Sequence, residues 1–336
     1  MAEVQATAWT GKGRGEMDIN TVAQVGAGYM GGGIAQSLAD SGFQVWLADA
    51  DADATHKAHE RLLAEAEQFE AQGLFAPGSA RRIRENLHVA PSIEEAAADV
   101  DFVEEAVPEV PEIKKEVLAR VEAAARPDTI IGTNTSTIPV HVLAEALRDP
   151  SRFLTVHWSN PAPFIPGVEI VAGERTDAAV IPVVKRMLAR AGRRSAQVAD
   201  VPGFVLNRLQ YVLLKEAMTI VQEGVASAAD VDTIVTSTFG FRLPFFGPFA
   251  IADMAGLDVY AASFKTLEQA FGERLAAPKV LTDLVAAGKL GLKSGAGFLE
   301  LEPGKREELV AYRNKAYSAM NGLLRELGPS PLAEDR

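Results

Sequence analysis

The chain has 336 residues, 48% of them apolar and 23% charged, with 33 Lys and Arg against 45 Asp and Glu and no cysteine. This is ordinary globular composition at a length suited to two domains. A net charge of −12 argues against a nucleic-acid surface, and the missing thiols exclude disulfides, a thiolate nucleophile and Cys-ligated metal centres, so redox chemistry needs a borrowed cofactor.

Residues 1–17 carry scattered charge without the apolar core of a signal peptide, and read as a flexible N-terminal arm. Thr21–Val25 is a short β-branched run that stops at Gly26, and a helical pattern opens at Ile34 to Leu38 after a glycine-rich turn. Phe43–Leu47 is a second strand, closed by Ala48 and Asp49, and Thr55–Gln72 follows as a helix. Further strands are expected at Val100–Val103, Thr129–Ile131, Phe153–Val156 and Val168–Val171, with helices at Glu112–Ala125 and Val140–Leu147 between them. This alternation predicts an α/β, Rossmann-like doubly wound, mostly parallel sheet over residues 18–200. After Pro202-Gly203 the texture changes. Phe204–Gln222, Ala229–Thr236, Pro248–Phe264, Pro278–Ala287 and Arg306–Leu327 all read as helices, giving an all-helical C-terminal domain over 201–336. Apolar runs break well before the roughly 20 residues of a membrane span, so a soluble, cytoplasmic protein is expected.

Gly26-Ala27-Gly28-Tyr29-Met30-Gly31 is a G-x-G-x-x-G set between strand and helix. The first glycine permits a tight turn, the second lets backbone approach a pyrophosphate, and the third allows close helix packing, while helix N–H groups face the phosphates. Asp49 ends the second strand, where a carboxylate can accept the adenosine ribose hydroxyls. It is followed by Ala50 and Asp51 rather than Arg or Lys, which favours NAD over NADP.

Three polar clusters fall at expected strand ends: Thr133 to Thr137, His157 to Pro161 with Glu169 twelve residues after the histidine, and Asn207 in a Pro-Gly-Phe-Val-Leu-Asn-Arg run. Ligands of such sheets lie beyond the carboxyl ends of the strands. Alcohol oxidation by NAD needs a base for the hydroxyl proton and donors for the developing alkoxide. His157 suits the first task, with Glu169 fixing its tautomer if the two strands run side by side, and Ser136 and Asn207 suit the second. Asn134 and Thr135 read equally well as N-caps of the helix after them. No two of the five histidines form a convincing metal pair, so no metal is expected.

Taken in order, these motifs resemble the L-3-hydroxyacyl-CoA dehydrogenase family. The resemblance runs from about Val22 to about Leu301 and also takes in Gly247-Pro248, Asp253 to Asp258 (DMAGLD) and Lys293 to Gly297. It implies NAD as cofactor, a helical domain that makes a homodimer and binds substrate, and oxidation of a secondary alcohol to a ketone. By the family pattern His157 is the base, Glu169 its partner, and Ser136 and Asn207 contact the substrate. Tyr29 and Met30 lie in the glycine turn, and Glu109, Lys114, Asn160 and Lys293 fall at nicotinamide-side and ribose contacts.

The substrate is less constrained. In acyl-CoA members the helix after the second strand carries a serine and a lysine that help hold CoA, and those positions resemble Glu65 and Gln72 here. Residues 60–70 hold four Glu and only Arg61, a poor bed for CoA phosphates unless Arg81, Arg82 and Arg84 fold toward the cleft. The wording around His157 is also similar to relatives acting on a small free acid of gulonate, carnitine or pyridine-carboxylate type. A cofactor-binding protein without turnover would be expected to lack catalytic groups, yet Ser136, His157, Glu169 and Asn207 are all present.

Overall fold

The computed structural model describes residues 17–300, 302 and 304–331. Apart from Met17, the expected N-terminal arm lies outside the described residues. By internal contacts the chain divides into two compact units, 1–213 and 214–336.

The first unit runs β1 (Thr21–Val25), α1 (Tyr29–Asp40), β2 (Gln44–Ala48), α2 (Ala52–Ala71), α3 (Ser79–Asn86), β3 (Leu87–Val89), α4 (Ile93–Ala97), β4 (Phe102–Glu105), α5 (Pro111–Ala124), β5 (Ile130–Thr133), α6 (Val140–Ala144), β6 (Phe153–Trp158), β7 (Gly167–Ala172), α7 (Val180–Arg190) and β8 (Arg194–Val198). The strands form one sheet in the order β3-β2-β1-β4-β5-β6-β7-β8. Every neighbouring pair is parallel except β6 and β7, which pair antiparallel with His157 opposite Glu169. The chain leaves β1 toward β2 on one side and returns beside it as β4, so a topological switch point, the usual ligand crevice of such sheets, lies between β1 and β4.

Alternate strand residues enter two cores, one on each face of the sheet. Val22, Val45, Phe102, Leu154 and Ile170 pack with Ile34 and Leu38 of α1 and Val184 and Leu188 of α7. Ala23, Val103, Ile131, Phe153 and Val171 pack with Val117 and Leu118 of α5 and Leu143 of α6. Each fully buried Val, Leu, Ile or Phe contributes roughly 1.5–3 kcal/mol, and a sheet covered on both faces needs the near-continuous apolar strands seen here.

β4 breaks that rule, because Glu104 and Glu105 are both fully buried. They point to opposite faces. Glu105 finds partners, whereas neither carboxyl oxygen of Glu104 has a hydrogen bond among the described residues. Gly132, opposite on β5, leaves it room, since a Cβ there would come within 2.6 Å of its Oε2. Burial, reinforced by the neighbouring charge of Glu105, pushes the Glu104 carboxyl well above the usual carboxylate range. Burial in the sheet therefore disfavours the charged form of this acid.

α8 (Leu206–Gln222) spans the boundary between the units, and the second unit continues with α9 (Ala228–Ser237), α10 (Phe239–Arg242), α11 (Pro248–Ala255), α12 (Leu257–Phe271), α13 (Lys279–Ala286) and α14 (Lys305–Leu327). Here Phe241, Phe245 and Phe246 gather around Tyr317. Asp253 is buried and accepts hydrogen bonds from the Phe298 and Leu299 N–H groups at 3.0 and 2.8 Å, which draws the Asp253–Asp258 and Lys293–Gly297 segments together. No described helix is long and apolar enough to cross a membrane.

Several elements differ from the sequence reading. The helix expected over Pro248–Phe264 is two helices, broken at Gly256, whose φ of +107° no L side chain adopts readily. α1 begins at Tyr29, inside the glycine motif, and Phe204 sits at φ +48° ahead of α8 instead of opening it. Between residues 172 and 200 no element was expected, yet α7 and β8 are there. α7 buries Val180, Val183, Val184, Met187 and Leu188 at helical spacing, but its β-branched residues and Pro182 mask the period.

Candidate active site

At the end of β1 the chain turns on Gly26, at φ +92°. A Cβ there would meet the Ala106 carbonyl at 2.7 Å and the Val107 nitrogen at 2.9 Å, so only glycine lets the loop after β4 pass this close. A Cβ on Gly31 would run into the Gly26 carbonyl oxygen, whereas the Cβ position of Gly28 has nothing within 4 Å and faces open space. α1 starts with no side-chain cap and no acid in its first turn. Its leading N–H groups, near the exposed Tyr29 and the half-buried Met30, are left for an anion. Asp49 is held against this turn, with Oδ2 accepting from Ala27 N at 2.6 Å and Oδ1 from Ala50 N at 2.7 Å. Asp51 beside it caps α2 through Ala54 N, and Arg61, which donates to the Ala27 carbonyl, is paired with Glu65. An open glycine, an uncapped helix start and a fixed acid fit a dinucleotide with a free 2′-hydroxyl.

Past the ends of β4, β5 and β6 lies a cleft of about 610 Å³. Ser136, His157 and Asn207 line it, together with Met30, Glu109, Lys114 and Asn160. Glu169 stands behind His157. The antiparallel register sets the two residues opposite, and Glu169 Oε2 lies 2.9 Å from His157 Nδ1. Its other oxygen accepts from Val205 N and Leu206 N, both at 2.9 Å. Burial pushes the Glu169 carboxyl up, but the hydrogen bonds from His157 and the two amides outweigh it and hold the group below its ordinary value. An ionised Glu169 requires a donor, so His157 Nδ1 carries a proton, and the neutral form of the ring has its lone pair on Nε2. Because the folded value is depressed, the stability this carboxylate contributes is full above the ordinary Glu range and is lost as pH falls through the lowered value. Glu169→Gln is expected to flatten the acid side of a Tm-against-pH curve; an unaltered acid side would show that the carboxylate is not held.

A second chain of charge runs under the cleft. Lys114 on α5 is 1% exposed, and its Nζ lies 2.8 Å from Glu105 Oε1, 3.1 Å from the Val107 carbonyl and 3.4 Å from Glu109 Oε2. Glu105 also accepts from Thr133 Oγ1 and Val107 N. Glu109 Oε1 gathers Thr135 Oγ1 at 2.7 Å, Ser136 N at 2.8 Å and Thr137 N at 3.1 Å. Burial pushes the Glu109 carboxyl up, but Thr135, Lys114 and the amides bring it below its usual value. Glu105 was not singled out in the sequence, though two adjacent acids in an apolar strand are a signal, since a buried carboxylate needs a partner.

Asn134 and Thr135 do not cap α6. Asn134 Oδ1 accepts from Trp158 N at 2.8 Å and ties the end of β5 to β6, Thr135 Oγ1 serves Glu109 and Ile138 N, and α6 is capped by Asp200. Asn207 Nδ2 donates to the Ser136 carbonyl at 2.9 Å. Lys293 belongs to the second unit, where its Nζ pairs with Asp258 at 2.8 Å. A Cβ on Gly256 would crowd that ammonium. The candidate arginines for CoA phosphates are engaged, Arg81 with Glu85, Arg82 with Asp40 and Arg84 with Glu67. Among the described residues no cluster of His, Asp and Glu is arranged to hold a metal.

Residues 21–201 match the family profile "3-hydroxyacyl-CoA dehydrogenase, NAD binding domain", and residues 203–301 match "3-hydroxyacyl-CoA dehydrogenase, C-terminal domain". The 5-formyl-3-hydroxy-2-methylpyridine 4-carboxylate 5-dehydrogenase of Mesorhizobium japonicum is 33% identical over 307 residues, covering 91% of this chain and 98% of that protein. A probable 3-hydroxybutyryl-CoA dehydrogenase of Bacillus subtilis is 32% identical over 287 residues, covering 85% and 99%. The crystal structure of a 3-hydroxyacyl-CoA dehydrogenase from Archaeoglobus fulgidus superposes with a TM-score of 0.74 at 33% identity, over 92% of this chain and 99% of that one.

Proposed function

Because the chain belongs to the 3-hydroxyacyl-CoA dehydrogenase family, whose members here are NAD-dependent oxidoreductases of CH–OH groups, we propose that it oxidises an L-3-hydroxyacyl-CoA to the 3-ketoacyl-CoA with His157 as general base. The observation that carries this reading is the 2.9 Å His157–Glu169 pair at a cleft that shares Met30 with the dinucleotide turn. His157 Nε2 takes the hydroxyl proton, and Glu169 stabilises the imidazolium that forms. Ser136 and Asn207 hold the substrate oxygen. Bound NAD supplies the hydride acceptor. Gly26, Gly28 and Gly31, with the N–H groups at Tyr29 and Met30, hold its pyrophosphate, and Asp49 its adenosine ribose. Glu109, Lys114 and Asn160 serve the nicotinamide side, and Lys293 takes the cofactor role of the family pattern. Residues 18–200 then form the NAD-binding half, and 201–336 the half for substrate and dimerisation.

We place the enzyme in the cytoplasm as a homodimer. Support for the dimer comes from α8, α9 and α10, which bury no residue, and from Leu213, Leu214, Met218, Val221 and Ile234, which stand exposed. A second copy would cover them. Light scattering should therefore read two chains per particle, and one chain would overturn this assignment.

The second reading is a small free acid, favoured by the engagement of Arg81, Arg82 and Arg84 with carboxylates and by the pyridine-carboxylate relative. The deciding experiment compares NADH-dependent reduction of acetoacetyl-CoA with NAD-dependent oxidation of 3-hydroxybutyryl-CoA, carnitine, gulonate and the pyridine compound. Saturation with the CoA esters is expected; saturation only by free acids sinks the acyl-CoA reading.

A further inference from the structure

We propose that the side-chain amide of Asn134 is an additional catalytic donor, hydrogen-bonding through Nδ2 to the oxygen of the alcohol as it loses its proton. The proposal rests on reading the cleft as the dehydrogenase site and adds a residue to it. Its ground is the orientation of one amide. Asn134 follows the last residue of β5, and Thr133 and Thr155 are register partners, so Asn134 lies alongside Val156 and His157 at the end of β6. Its backbone N–H donates to the Glu105 carbonyl at 2.7 Å. Its Oδ1 accepts the Trp158 N–H at 2.8 Å. The opposite amide orientation would set NH2 against N–H, so Oδ1 is committed and Nδ2 is turned away from Trp158. Among the described residues no acceptor takes either proton of that NH2, and Asn134 lines the cleft that His157 also lines.

The two other donors assigned to the substrate oxygen are encumbered. Asn207 Nδ2 already gives one N–H to the Ser136 carbonyl, and Ser136 Oγ lies 3.3 Å from Glu109 Oε1. In the oxidation the O–H proton passes to His157 Nε2, the C–H hydrogen and its electron pair leave for NAD, and C–O becomes C=O. Negative charge grows on oxygen when proton loss runs ahead of that departure. A donor held in place by backbone before substrate arrives stabilises that charge without reorganising, and removing one such donor typically costs roughly 10²–10³-fold in kcat.

Asn134→Asp separates this role from a merely structural one, because aspartate still accepts from Trp158 N but has no N–H to give. Asn134→Ala removes both functions. Both variants are compared with wild type on whichever substrate of the panel above wild type turns over, so a failure of the acyl-CoA reading shows in the wild-type control and leaves this comparison intact. The expected result is kcat lowered roughly 10²–10³-fold in both, with NADH affinity by fluorescence titration unchanged within about twofold. Three outcomes overturn the proposal. One is an Asn134→Asp enzyme with near wild-type kcat beside an impaired Asn134→Ala, which makes the residue a strut. Another is loss of NADH binding in parallel with kcat, which makes it a cofactor contact. The third is an active Asn134→Ala with an Asn134→Asp defect that vanishes as pH rises, which makes the defect a charge effect on His157.

Discussion

Replacing His157 with alanine is expected to lower kcat by roughly 10²–10⁴-fold while leaving NAD affinity nearly unchanged. The magnitude follows from what is removed. The imidazole lines the cleft with its ring oriented by Glu169, and loss of positioned general-base catalysis at that scale corresponds to about 3–5.5 kcal/mol of barrier. Cofactor affinity should be spared because the glycine turn and Asp49 hold their geometry without reference to His157. Glu169 keeps its bonds from Val205 and Leu206, so the start of α8 should remain in place and the variant should fold. His157→Gln, which fills more of the vacated volume, is the companion variant. Near-normal turnover in either would falsify the assignment of the base.

The largest effect on stability is expected at Lys114. Its side chain is 1% exposed and that of its partner Glu105 is fully buried, so Lys114→Met leaves a carboxylate sealed in the first unit with only Thr133 and the Val107 N–H to serve it. Breaking a buried pair from one side typically costs about 3–5 kcal/mol. In a unit of this size that is a fall in Tm on the order of 10 °C. The double variant Glu105→Gln, Lys114→Met removes both charges and should recover more than half of the loss, since the penalty belongs to the orphaned charge and not to the missing attraction. Calorimetry of the two single variants and the double variant checks this. Single variants as stable as wild type would mean that water reaches the pair.

The parts of this molecule legible in its sequence are the local ones. Strand, glycine turn, helix and Asp49 are contiguous, and each residue's demand on backbone conformation can be read without knowing the rest of the chain. The placement of Glu169 opposite His157 was conditional on the two strands being neighbours, and the antiparallel register of β6 and β7 supplies that condition. What escaped the reading depends on distant partners. Glu105 looks like a strand-end acid until Lys114, nine residues on and across a loop, folds back to it. Asn134 looks like a helix cap until the backbone of Trp158 claims its oxygen. β8 lacks alternation because it is an edge strand with little to bury, and β3 is too short to show a period. Gly256 reads as a tolerable helix glycine until Lys293 and Asp258 are seen to need its missing side chain.

The reversal of direction between β6 and β7 has a consequence for how the site is held. In a purely parallel sheet, residues at the carboxyl end of one strand and the amino end of the next lie at opposite edges, with a crossover between them. Here the turn back makes His157 and Glu169 rungs of one ladder, so their spacing is set by backbone pairing and not by the connecting segment. That segment, residues 159–166, contributes Ser159, Asn160 and Ile165 to the cleft wall. The register of the pair does not depend on the length of that segment, although Ala162 within it is buried in the core. A scaffold built this way fixes the His157–Glu169 spacing through the sheet and leaves the adjoining cleft wall to the loop.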